Sequence, residues 1–90
     1  MTVKKKLEPF NIVTGQKLKN FREENLGITI DAFAENTGLS SKTISNYENG
    51  RNTITISTLI ALYESGLFNM SLEYLCKIFI VSTYEEIKDK

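Results

Sequence analysis

The sequence predicts an all-α fold, a bundle of five helices with a short sixth helix at the C-terminal end. Apolar residues recur at the spacing of an α-helix, and glycines or small polar residues stand where each helix would begin or end. Residues 53–56 alternate like a β-strand, but no second strand is available to pair with them. With 90 residues, the chain has room for one core and one domain.

The first helix is expected from Asn11, a favourable N-cap residue, to about Glu24. Residues 1–10 contain a run of lysines and little periodicity, so we expect a flexible N-terminal arm there. Residues 25–27 include a glycine and end the helix.

Two short helices joined by a glycine-containing turn come next. Thr29 can cap a helix over 30–36, and Gly38 can end it because glycine adopts the left-handed conformation of a C-cap without strain. Ser40 can cap a third helix over 41–49. This pair has the form of a helix-turn-helix.

The remaining helices also follow hydroxyl-bearing N-cap residues. We expect them over 56–65 and 72–80, and a capping-box pattern predicts another from residue 82. The apolar residues expected to form the buried side of the fourth helix are Ile56, Leu59, Ile60 and Tyr63. The expected domain therefore covers 11–81, with a short helix and tail over 82–90.

Composition excludes most enzyme chemistry. The chain has no histidine and one cysteine, so histidine-based catalysis, structural zinc sites and an internal disulfide are excluded, and we expect no catalytic residues, no metal and no cofactor. Ser41 and Lys42 are the only faint nucleophile–base pair in the chain. Adjacent residues on a helix do not face each other, so a small enzyme built on this pair is discounted. Cys76 is expected to be a small core residue. No signal peptide or membrane span is evident, so we expect a cytoplasmic protein.

The charge balance is unusual for a nucleic-acid binder. Eleven basic and eleven acidic residues give a net charge of zero, whereas such proteins are usually basic. Residues 1–53 carry eight basic and six acidic residues, so the small positive excess lies in the first half of the chain.

The third helix has two different faces. Ile44, Tyr47 and Glu48 share one side, and the opposite side is polar. Such a face is usually only solvated surface. Here amide and hydroxyl groups that can bind base edges are combined with a serine cap and a basic residue just beyond the helix.

Residues 15–75 resemble the lambda-repressor-like, Cro/CI-type (XRE family) helix-turn-helix domain. The most specific match is Ile44–Gly50, which ends in Tyr-Glu-Asn-Gly. The other matching segments are Gly15–Leu18, Phe21–Glu24, Phe33–Ala34, Gly38–Ser40, Thr43, Ile56, Leu59 and Ser71–Leu75.

The resemblance implies a five-helix bundle that binds double-stranded DNA with its third helix in the major groove. The base-contacting residues it implies are Ser41, Lys42, Ser45 and Asn46. The phosphate-contacting residues are Ser40, Thr43, Arg51 and Asn52, together with backbone N–H groups at the start of the second helix. It also implies a buried ion pair between Arg22 and Glu48 that ties the first helix to the third.

Two features depart from the family pattern. Ile30 stands where many members have a glutamine that contacts DNA. The chain also has one extra residue between Arg22 and Ile30.

The fifth helix carries apolar residues on two sides. One side, with Leu75 and Phe79, can join the core, and the other carries Tyr74, Ile78 and Val81. The second side is covered either by the sixth helix or by a second copy of the chain, and we favour a homodimer.

Two functions follow. The first is a sequence-specific transcriptional regulator, a repressor that binds a palindromic operator. The alternative is a protein-interaction module, such as an antitoxin or a partner-controlled regulator, that uses the apolar face of helix five.

Overall fold

The computed structural model describes residues 3–88, with side chains from residue 8 onward, and every regular element in this part of the chain is helical. The α-helices are α1 (Val3–Asn20), α2 (Ile30–Thr37), α3 (Ser41–Glu48), α4 (Ile56–Glu64), α5 (Leu72–Cys76) and α6 (Ser82–Lys88). Two π-helical turns, Phe21–Leu26 and Lys77–Val81, follow α1 and α5. The predicted all-α bundle with a helix-turn-helix is confirmed.

α1 begins earlier than predicted. It starts at Val3 rather than at Asn11, so the backbone of residues 3–10, which was expected to be an arm, continues the helix. Residues 4–8 are lysine, leucine and glutamate, which favour helix. Pro9 lies inside α1 and removes one backbone hydrogen bond from it. The side chains of the lysine run lie outside the described residues. Asn11 is therefore not an N-cap; it is buried within α1.

The first π-helical turn falls in the interval between Arg22 and Ile30 that has one residue more than the family pattern. The Gly27 N–H donates to the Arg22 carbonyl, five residues back, which is the hydrogen bond of a π-helix. Such a turn holds one more residue than an α-helical turn of the same rise. Gly27 has a φ of 64°, so the chain can then leave the helix sharply.

α5, the second π-helical turn and α6 form one continuous rod. Lys77 and Ser82 have right-handed helical dihedral angles, whereas an N-cap residue is extended. The predicted capping box at Ser82 is therefore wrong, and the sixth helix is an extension of the fifth. The Lys17 ammonium stabilises this junction because it donates to the Ile78 carbonyl and to the Thr83 hydroxyl, both at 2.9 Å.

The core lies where α1 to α5 meet. Its fully buried apolar residues are Leu18, Phe33, Ile44, Leu59, Leu62, Leu75 and Phe79. Phe68, in the loop before α5, is also buried, and its ring stacks on that of Phe21 with centroids 4.1 Å apart. Cys76 is half-buried against this core.

The expected buried side of α4 is largely wrong. Leu59 is buried, but Ile56, Ile60 and Tyr63 are 56%, 38% and 46% exposed. The helix packs through Leu59 and Leu62. Ile60 and Tyr63 lie four and seven positions after Ile56, so they share its outward face.

Candidate nucleic-acid interface

A buried ion pair fixes α3 against the first helical segment. The Arg22 Nε atom lies 2.7 Å from Glu48 Oε2, and Nη2 lies 3.0 Å from Oε1, so the contact is bidentate. The two side chains are only 8% and 5% exposed. A third donor, Nη1, reaches the Ile28 carbonyl at 2.8 Å. The hydrogen bond to the Glu48 carboxylate raises the pKa of the Arg22 guanidinium, more than burial lowers it.

A glycine allows α1 and α3 to approach closely. A Cβ atom on Gly15 would overlap the carbonyl oxygen of Tyr47. The Tyr47 hydroxyl in turn lies 2.6 Å from the Thr58 hydroxyl of α4, in the protein interior. Helix α3 is thus held from two sides through its inner residues, which leaves its outer face in a defined orientation.

The start of α3 is a hydrogen-bonded cap. The Ser40 hydroxyl oxygen accepts from the Thr43 N–H at 3.0 Å, and the Ser40 hydroxyl donates to Thr43 Oγ1 at 2.8 Å. Both residues were expected to contact phosphate. Their hydroxyl groups lie on the surface, and the Thr43 hydroxyl proton is left to donate outward.

The Ser41 hydroxyl at the first position of α3 has a partner on α2. It donates to Asp31 Oδ1 at 2.7 Å. Sequence reasoning missed Asp31, which is the acidic residue in the first turn of α2. Its sequence position showed an acid near the turn, but its contact with Ser41 depends on how the two helices cross.

The other expected base-contacting residues lie on the outer face of α3. Lys42 is exposed, and Ser45 and Asn46 are half-buried. The Asn49 amide donates to the Ser45 carbonyl at 2.8 Å and to the Ser45 hydroxyl at 3.2 Å. Ser45 is therefore partly engaged within the helix, whereas Lys42 is free to extend.

The end of α3 is closed by a Schellman motif. The Gly50 N–H donates to the Tyr47 carbonyl and the Arg51 N–H donates to the Asn46 carbonyl, at 3.0 and 2.8 Å. This motif fixes the backbone of Arg51 relative to α3. Arg51 and Asn52 are both exposed, and Arg51 Nη1 lies 3.5 Å from Asn46 Oδ1.

The start of α2 is less open to an anion than expected. The Thr29 hydroxyl oxygen accepts from the Ala32 N–H at 3.1 Å, so this backbone donor is already used. The carboxylate of Asp31 also lies in this first turn, where the positive end of the helix dipole stabilises its negative charge. That charge repels phosphate. Ile30 is half-buried against the core.

The chain matches a known family. A model of the helix-turn-helix family aligns with residues 18–75, which is more than half of the chain and includes α2 and α3. The chain belongs to the XRE-type helix-turn-helix family. It is a DNA-binding regulator of this type, and the family is one of regulatory domains rather than of enzymes. No curated protein and no solved structure matches the chain.

The residues expected at a dimer face differ in exposure. Tyr74 and Val81 are 51% and 49% exposed, but Ile78 is half-buried against the core. Because α6 continues α5 in one rod, it does not fold back over these residues.

Among the described residues, no helix combines the length and the apolar character that crossing a bilayer requires.

Proposed function

We propose that this XRE-type regulator binds a specific DNA site by placing α3 in the major groove. The observation that carries the proposal is the two-sided construction of α3. Its inner side is fixed by the buried ion pair and by Tyr47, and its outer side presents hydroxyl, amide and ammonium groups. A rigid helix of that kind can present side chains to base edges in the major groove.

The outer residues divide into two roles by position. Lys42 and Asn46 project from α3, so we assign them, with Ser41 and Ser45, to base edges. An asparagine can bind the N6 and N7 positions of adenine, and a lysine can reach the O6 and N7 acceptors of guanine. Arg51, held by the Schellman motif, is assigned to the phosphate backbone.

The remaining phosphate contacts come from groups at the ends of α3. Ser40 and Thr43 lie at its start, and Asn52 follows Arg51 at its end. Positioning contacts of this kind set the register of the helix on the duplex without reading its sequence. With two cationic side chains on this surface, we expect the affinity to fall only moderately as salt increases.

A selection of bound sites from random double-stranded DNA, followed by binding measurements on the selected site, tests this proposal. K42E and R51E should each reduce affinity at least tenfold, because each converts an attraction to the duplex into a repulsion. The matched control is K88E, which reverses an exposed charge at the end of α6. Equal affinities for all three variants would refute the assignment of α3.

We further propose that the regulator is a homodimer that represses transcription from a palindromic operator. The exposed Tyr74 and Val81 supply apolar surface for a second copy. Two-fold symmetric copies would read half-sites about 34 Å apart. Sedimentation at micromolar concentration should show a dimer that Y74K/V81K converts to a monomer. A wild-type monomer, both free and on DNA carrying two half-sites, would contradict the dimer.

The alternative is a protein-interaction module, such as an antitoxin or a partner-controlled regulator. The sequence assigns this role to the apolar face of helix five, where Tyr74 and Val81 are exposed. The exposed apolar row of Ile56, Ile60 and Tyr63 on α4 is a second surface that favours it. In that case K42E and R51E would keep binding to the protein partner. I60K would abolish binding to the protein partner while leaving DNA affinity unchanged.

A further inference from the structure

We propose that Asp31 of α2 determines base specificity together with Ser41. The pair would select a base that carries an exocyclic amino group, cytosine or adenine, at the position that faces the start of α3. This inference rests on the proposed function, because it requires α3 to lie in the major groove.

The geometry places the two side chains in one hydrogen-bonded unit. Ser41 Oγ lies 2.7 Å from Asp31 Oδ1, and both residues are near the surface, with Asp31 exposed and Ser41 half-buried. Ser41 is the first residue of α3, which is the end of a recognition helix from which base edges are contacted. The Asp31 carboxylate therefore lies beside a residue that we assign to the bases.

The hydrogen-bond inventory of the pair restricts what it can bind. A serine hydroxyl has one proton, and here that proton is donated to the carboxylate. What Ser41 can still offer to DNA is its oxygen lone pairs. The second carboxylate oxygen of Asp31 is likewise only an acceptor. The pair thus presents acceptors alone, although an isolated serine could bind either a donor or an acceptor.

The major groove offers few donors to such a pair. Cytosine N4 and adenine N6 carry amino groups, whereas guanine O6 and N7 and thymine O4 are acceptors. An acceptor facing an acceptor loses its water without gaining a hydrogen bond. We therefore expect the pair to favour cytosine or adenine over guanine or thymine by roughly tenfold.

The location of Asp31 also explains how an acid is tolerated at this surface. It lies in the first turn of α2, where the positive end of the helix dipole stabilises a carboxylate. Its negative charge disfavours phosphate, so the side chain is suited to a base amino group and not to the backbone of the duplex.

The test compares sites selected from random DNA by the wild type, by D31N and by E35Q. D31N keeps an oxygen that accepts from Ser41 and replaces the second oxygen with an NH₂ donor. E35Q is the matched control, since Glu35 is an exposed acid one turn further along α2 and its removal changes the net charge equally. Circular dichroism and thermal unfolding establish that each variant is folded.

The expected result is a change at one position of each half-site. The wild type and E35Q should enrich cytosine or adenine there, and D31N should lose this preference at least fivefold in favour of guanine or thymine. If the wild type enriches a motif that D31N leaves unchanged, or that E35Q alters equally, the role of Asp31 is refuted and the proposed function stands. If the wild type enriches no motif, the proposed function fails as well.

Discussion

Glu48 is a residue whose contribution to stability can be worked out from its contacts. In E48Q the Arg22 guanidinium keeps its charge but loses its buried carboxylate partner; in the wild type both side chains of this pair are at least nine-tenths buried. Removal of one member of a buried ion pair costs about 3–5 kcal/mol because an uncompensated charge stays in the interior. A domain of this size has a free energy of unfolding of about 5–15 kcal/mol, so E48Q should lose a large share of it.

The assay is urea unfolding followed by circular dichroism, combined with a thermal scan. Each kcal/mol should lower Tm by about 4–8 °C in a domain of this size, so we expect a fall of at least about 12 °C for E48Q. The matched control is E23Q. Glu23 contacts the same guanidinium at 3.4 Å but is 49% exposed, so its loss should cost less than about 1 kcal/mol.

A double substitution separates the pair from its surroundings. R22M/E48M replaces both charges with apolar side chains. It should be more stable than the summed losses of R22M and E48M predict, because no buried charge is left unpaired. Equal costs for E48Q and E23Q, or strict additivity in the double variant, would refute the reasoning.

The remaining predictions concern packing, the helix junction and pH. G15A should lose at least about 1–3 kcal/mol in urea unfolding, since its methyl group would overlap the Tyr47 carbonyl and force the helices apart. K17M should lose about 1–3 kcal/mol, because the half-buried Ile78 carbonyl and the buried Thr83 hydroxyl then lose their ammonium donor, and hydrogen exchange should accelerate in the C-terminal helix. The pKa of Arg22 is raised in the folded state. The ion pair therefore stabilises the fold fully at any pH below the ordinary arginine pKa, and this stabilisation is lost only as pH rises through the higher pKa of the folded state. The stability difference between wild type and R22M should therefore be constant from about pH 6 to pH 10, and a steady decline across that range would contradict the ion pair.

Local signals in the sequence predicted the starts of four helices. Thr29, Ser40, Thr55 and Ser71 each accept a hydrogen bond from the backbone N–H three residues later, as an N-cap residue does. Capping depends on a few neighbouring residues, so it can be read without the fold. The same holds for Gly38, whose φ of 80° ends α2.

Features that depend on distant contacts could not be predicted in this way. The π-helical turn after α1 is a conformation that propensity scarcely distinguishes from an α-helix. Phe68 lies in a loop, and its burial follows from the space between Phe21 and Phe79. The junction of α5 and α6 is contacted by Lys17 of α1, which is sixty-one residues from the carbonyl that it binds.

The candidate interface was predictable in part for the same reason. The polar face of α3 follows from helical periodicity, and so do Lys42 and Asn46 as its outward residues. The pairing of Asp31 with Ser41 depends on the crossing of α2 and α3, which is a property of the tertiary structure. A residue that shapes specificity through such a contact is visible only once the helices are placed.

The central claim is that α3 lies in the major groove of its DNA site, and methylation interference tests it most directly. Methylation of guanine N7 adds a bulky group to the major groove and leaves the base pairing intact. We predict that selected sites methylated at guanines facing α3 are depleted from the protein-bound fraction. If sites methylated at N7 throughout bind as tightly as unmodified DNA, α3 does not read the major groove.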